Sequence, residues 1–156
     1  MQIECAKNVE RSFMGTAPTL ALIGQTYPSE QVNSWIMAHL VDLYKFVGVV
    51  EKLDMMQMKS LAAIIRTEYF YFKASELLLF FYKLKTGVYG QFYGVVDPMM
   101  ITSALIEFSD WRRQKIELYE RELRRIQAEK EREEWSRNAV TREEYEQMKK
   151  KRTMIQ

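Results

Sequence analysis

The chain has little of what marks many functional classes. It holds one cysteine, Cys5, and one histidine, His39. No disulfide can form within it, and a zinc site built on Cys and His needs about four such ligands. Three prolines and six glycines in 156 residues leave long helices uninterrupted. No apolar run approaches the roughly 18–20 residues needed to span a bilayer. The first residues, Met-Gln-Ile-Glu-Cys-Ala, lack the basic start and apolar stretch of a secretory leader. Gln2 is not the glycine that myristoylation requires. With an unpaired cysteine, which fits a reducing compartment, the expectation is a cytoplasmic protein that no membrane holds. There is no Walker loop, no dinucleotide fingerprint and no acidic cluster spaced for magnesium. No cofactor, no metal and no enzymatic activity are expected.

What is present is unevenly spread. Net charge is only +2, too small by itself to imply a polyanionic partner. Residues 1–111 carry a net −2, and residues 112–156 a net +4. All eight phenylalanines lie before residue 112. The first part can build a core, and the last part is mostly solvated.

Hydrophobic spacing predicts an all-α protein: a compact helical domain, then a long charged C-terminal helix and a short terminal helix. A loose N-terminal segment, 1–16, precedes a helical core domain, 17–112, and a charged extension, 113–156. Pro18 to Ile23 reads as a short helix. Pro28-Ser29-Glu30 starts another, with Ser29 as cap. Its stripe is Val32, Trp35, Ile36, His39, Leu40, Leu43, Tyr44 and Val47, and Gly48 ends it. Asp54 and Gln57 form a capping box ahead of Met55, Met58, Leu61, Ala62 and Ile65. Glu68 to Lys73 suits a turn or short extended link. Leu77–Tyr82 is apolar throughout, as in a buried strand or a buried helix. Its start at Lys73 and its stop at Thr86-Gly87 favour the helix. Asp97-Pro98 opens the last long helix, striped by Leu105, Phe108, Arg112, Ile116, Tyr119, Leu123 and Ile126. Glu117/Arg121, Glu120/Arg124, Lys130/Glu134 and Glu133/Arg137 are spaced for pairing within it. Thr141 with Glu144 marks a further helix after a break near Asn138.

Several candidate sites reduce to packing. His39 falls on an apolar stripe with no Ser or Cys nucleophile placed beside it, so it reads as a packed histidine rather than a general base. Cys5 lacks a positioned activator. Met55, Met56, Met58, Met99 and Met100 either fill core gaps or make an adaptable surface, and helical spacing favours the core.

The segment Gly87 to Asp97 is different. Gly87, Gly90 and Gly94 alternate with Tyr89, Phe92 and Tyr93. Lys83 and Lys85 precede it, and Arg112 and Arg113 follow. Rings beside basic side chains suit single-stranded nucleic acid or another partner. The plainer reading is a connecting loop whose rings cap the core. Arg112 lies about 22 Å along its helix from Asp97, so loop and arginines share one surface only if that helix folds back along the core.

Residues Ile64-Ile65-Arg66-Thr67-Glu68-Tyr69-Phe70, the helix from Ser75 to Phe81, then Lys85-Thr86-Gly87-Val88-Tyr89-Gly90-Gln91-Phe92-Tyr93-Gly94, Asp97 and a helix with Phe108, Trp111 and Arg112 carry a resemblance. Across about residues 54–113 the chain is similar to small helical proteins of phages and integrative or conjugative elements. Some of these are described as replication-initiation or helicase-loading accessories. The resemblance implies a non-enzymatic adaptor that docks on a protein partner, such as a replication protein. Tyr89, Phe92, Tyr93, Arg112 and Arg113 are its candidate contacts, and the long helix could serve a homo-oligomer. The alternative is a sequence-tolerant nucleic-acid-binding regulator acting through Lys149, Lys150, Lys151 and Arg152 of the basic C-terminal helix.

Overall fold

The computed structural model describes residues 1–48, 53–92 and 95–153, and among these it is all-α. Eight helices follow one another: α1 (Gln2–Lys7), α2 (Val9–Met14), α3 (Leu20–Thr26), α4 (Ser29–Val47), α5 (Met55–Glu68), α6 (Ala74–Lys85), α7 (Pro98–Asn138) and α8 (Arg142–Thr153). The chain divides into two units, Met1–Arg113 and Gln114–Gln156.

In the first unit α6 is the centre. It packs against α1, α2 and α4, and α4 packs against α5. Glu76, Leu77, Leu78, Leu79, Phe80, Phe81 and Leu84 are buried, so the continuous apolar run is a helix enclosed on most sides. The α4 stripe behaves as its spacing requires. Val32, Ile36, Leu40, Leu43 and Tyr44 are buried, while Trp35, His39 and Val47 sit half-exposed at its edges.

Several local signals hold. Asp54 and Gln57 form the reciprocal capping box, as do Thr141 and Glu144. The Asp97 carboxylate accepts the Met99 amide at 2.8 Å. Gly48 takes the left-handed conformation, φ 68°. At the end of α6 the Val88 amide donates to Lys83 O and the Gly87 amide to Leu84 O, the pair of bonds of a Schellman cap. Gly87 closes that cap at φ +73°. A side chain there would meet no clash, but the backbone would carry the left-handed penalty of roughly 1–2 kcal/mol. We expect Gly87→Ala to lower unfolding free energy by that amount in a urea titration.

Other readings need correction. Residues 1–16, expected to be loose, form α1 and α2 and bury Ser12 and Phe13. The anchors at the end of α2 are non-local. Lys73 Nζ donates to Phe13 O and Gly15 O, and Ser75 Oγ donates to Ser12 O. Pro28, not Ser29, occupies the N-cap of α4, and no side chain caps it. Proline needs no amide partner, and its ring sets the extended turn into the helix. The short third helix starts at Leu20, two residues after Pro18, with Thr19 as its cap. The amides of Leu20 and Ala21 donate to Phe72 O and Phe70 O, so the aromatic link satisfies the free donors of that helix start. No described methionine is buried. Met55, Met56 and Met99 lie in first helical turns at 58%, 78% and 67% exposure, where an apolar stripe runs off the end of the core.

The second unit holds the remainder of α7 and α8, and nearly every described side chain in it is exposed. None of the four expected glutamate–basic pairs closes among the described residues. Instead Arg125 binds Glu122 at 2.6 Å and Glu129 at 3.3 Å, and Gln127 donates to Glu131.

Candidate functional site

Ring contacts run through the first unit. From Trp35 they pass to His39, Phe81, Phe80, Phe108, Trp111 and Phe13, each step 4.8–5.6 Å between centroids. Tyr89 joins this series rather than a stacking platform. Its ring lies 6.0 Å from Phe80, it is half-buried, and burial pushes its hydroxyl pKa up, with a further push from Glu107. Phe92 is also half-buried. Tyr93 lies outside the described residues.

The basic side chains flanking the loop are engaged too. Lys83 Nζ sits 3.7 Å from the centre of the Trp111 ring. Lys85 binds Asp42 at 2.5 Å. Arg113 is exposed and bound to Asp110 at 2.8 Å.

Arg112 is not part of an open surface. Its Nε donates to Glu76 Oε1 at 2.7 Å, and its guanidinium lies over the rings of Tyr71 and Phe72. Glu76 is fully buried. Its second oxygen accepts the Lys73 amide at 2.7 Å. Burial raises the Glu76 pKa, opposed by Arg112 and the Lys73 amide. Sequence reasoning missed this pair, although a signal was present. An arginine on an apolar stripe between Phe108 and Ile116 calls for a buried acid. Loop and arginine therefore have different neighbours: Tyr89 has Phe80, while Arg112 has Glu76, Tyr71 and Phe72.

His39 belongs to a polar cluster beside a cavity of about 590 Å³ between α1, α4 and α6. Gln2 Nε2 lies 3.3 Å from Asp42 Oδ2 and 3.3 Å from His39 Nδ1. The carboxylate sets which end of the amide faces it. The amide then makes Nδ1 the acceptor, placing the histidine proton on Nε2. That nitrogen is buried without a hydrogen-bond partner among the described residues. The Lys85 ammonium holds the Asp42 carboxyl below its usual pKa. Burial lowers the His39 pKa from 6.5, against the attraction of Asp42.

A histidine whose folded pKa is depressed favours the neutral ring. Its stabilising contribution is complete above 6.5 and is lost as pH falls through the lower folded value. Denaturant melts across this interval should show stability falling with acidification. His39→Gln should flatten that slope.

Lys149, Lys150 and Lys151 are exposed in α8, and the Arg152 side chain lies outside the described set. Among the described residues no group of three or more His, Cys, Asp or Glu is placed to hold a metal ion. None of the described helices is long and apolar enough to cross a membrane.

These observations define an all-α protein with an aromatic helical body and an exposed, charge-rich helical extension. The chain belongs to DUF6633, a family of unknown function, which matches residues 52–155. That span takes in Glu76, Tyr89 and Arg112 and leaves out His39 and Asp42. Neither a curated protein nor a solved structure matches the chain.

Proposed function

We propose that this protein is a non-enzymatic binding protein that engages a protein partner through its C-terminal helices. One contrast carries the reading. The charged groups singled out within the body are spent on structure: Arg112 on Glu76 and Lys85 on Asp42. Beyond Arg113, by contrast, Trp135 stands 81% exposed among charges, more than any described aromatic of the body, with Tyr145 at 63% and Met148 at 57%. Exposed aromatics of this kind supply the anchors of protein interfaces. The resemblance across 54–113 to mobile-element accessories makes a replication protein the partner to test first. Affinity purification from native cells, with Trp135→Ala and Tyr145→Ala alongside the parent chain, examines this. Loss of one specific partner with an unchanged melting temperature supports the proposal. A partner retained by both variants, or substrate turnover by the purified chain, defeats it.

The consecutive exposed Lys149, Lys150 and Lys151 favour a second reading, nucleic-acid binding. It predicts steep salt dependence. Replacing all three lysines with glutamate should reduce the slope of log K against log salt for a single-stranded oligonucleotide by about 2, three phosphate contacts at roughly 0.7 each. Fluorescence anisotropy measures it, and an unchanged slope removes these lysines from any phosphate contact.

A further inference from the structure

In the second unit Ile116, Tyr119, Leu123 and Ile126 recur at steps of three and four, the spacing of two heptads. Ile116 and Tyr119 are half-exposed, and Leu123 and Ile126 are 46% and 37% exposed. In that frame Ile116 and Leu123 take the a positions and Tyr119 and Ile126 the d positions. Lys115 and Glu122 fall at g, and Glu120 and Gln127 at e. We infer that this seam receives a second copy of the same chain, side by side and parallel, as a short two-stranded coiled coil.

The charges choose both the occupant and its direction. In a parallel pair each g residue faces the e residue of the following heptad on the other helix. Lys115 then meets Glu120 of the second copy, twice by symmetry, and Glu122 meets Gln127. No like charges oppose one another along the seam. An antiparallel pair that also buries all four apolar residues would set Glu120 against Glu120 and Glu122 against Glu122. It would direct Lys115 at Glu129, which Arg125 already binds. Among the described residues neither Lys115 nor Glu120 has an ion pair or hydrogen bond within its own chain. The seam is bounded at both ends. The preceding d position is Arg112, held by Glu76, and the next a position is Lys130. Two heptads make the association reversible, so it depends on concentration.

Sedimentation equilibrium of the full chain over a wide concentration range tests this. The expected result is a mass rising from 18.6 kDa toward twice that value. Leu123→Glu with Ile126→Glu should abolish the rise while the circular dichroism melt of the body stays unchanged. Lys115→Glu should abolish it too, and Lys115→Glu combined with Glu120→Lys should restore it. Only the parallel register gives that rescue, because antiparallel helices would set the two introduced lysines against each other. A single mass of one chain at every concentration overturns the proposal, as does a dimer that survives the Leu123 and Ile126 changes. Failure of the double reversal to rescue overturns the parallel arrangement.

Discussion

Replacing Arg112 with alanine should destabilise the protein by about 3 kcal/mol, toward the lower end of the range for stripping one partner from a buried ion pair. The loss comes less from the attraction removed than from the carboxylate left behind. Glu76 is fully buried, and its other oxygen holds only the Lys73 amide. The Arg112 side chain retains 18% exposure, which tempers the effect. Urea titration of Arg112→Ala measures it. Glu76→Leu with Arg112→Met, which removes both charges and keeps their bulk, should recover most of the loss. If Arg112→Ala melts like the parent while binding of a partner disappears, Arg112 acts at an interface and the structural assignment fails.

Phe108→Ala should cost roughly 3–5 kcal/mol, the range for emptying a buried aromatic site. Phe108 is fully buried and joins three rings at 5.4–5.5 Å: Phe72 from the link, Phe80 from α6 and Trp111 one turn along α7. No neighbour can move into the space without leaving another ring. Phe46→Ala is the control. At 63% exposure it should stay within about 0.5 kcal/mol of the parent, as surface changes usually do. Equal losses at the two positions would contradict the packing described for α6 and α7.

What could be read in advance follows the range of the interaction. The Asp54–Gln57 and Thr141–Glu144 boxes, the Asp97 start and the left-handed Gly48 depend on residues within a few positions of one another, so their signature is contiguous. The burial of α6 was legible for the same reason, since six buried apolar residues carry the pattern together. The identity of the acid that engages Arg112 was not, because it stands 36 residues away and only the fold brings them together. The glycine-rich loop is ambiguous in a related way. Gly87 is required by the end of α6, and that demand has the same appearance in sequence as a glycine making room for a ligand. The short α1 and α2 carry weak stripes of their own. Distant side chains bind the carbonyls at the end of α2, and α1 packs against α6.

That last dependence sets an order of events during synthesis. The Ser12 carbonyl waits for the Ser75 hydroxyl, 63 positions later in the chain, and the Phe13 and Gly15 carbonyls wait for the Lys73 ammonium. At roughly 5–20 residues per second of translation, α2 emerges several seconds before the groups that hold it. Throughout that interval Phe13 has neither α6 nor Trp111 to cover it. Ser12, Phe13 and Gly15 are thus made well before the groups that secure them.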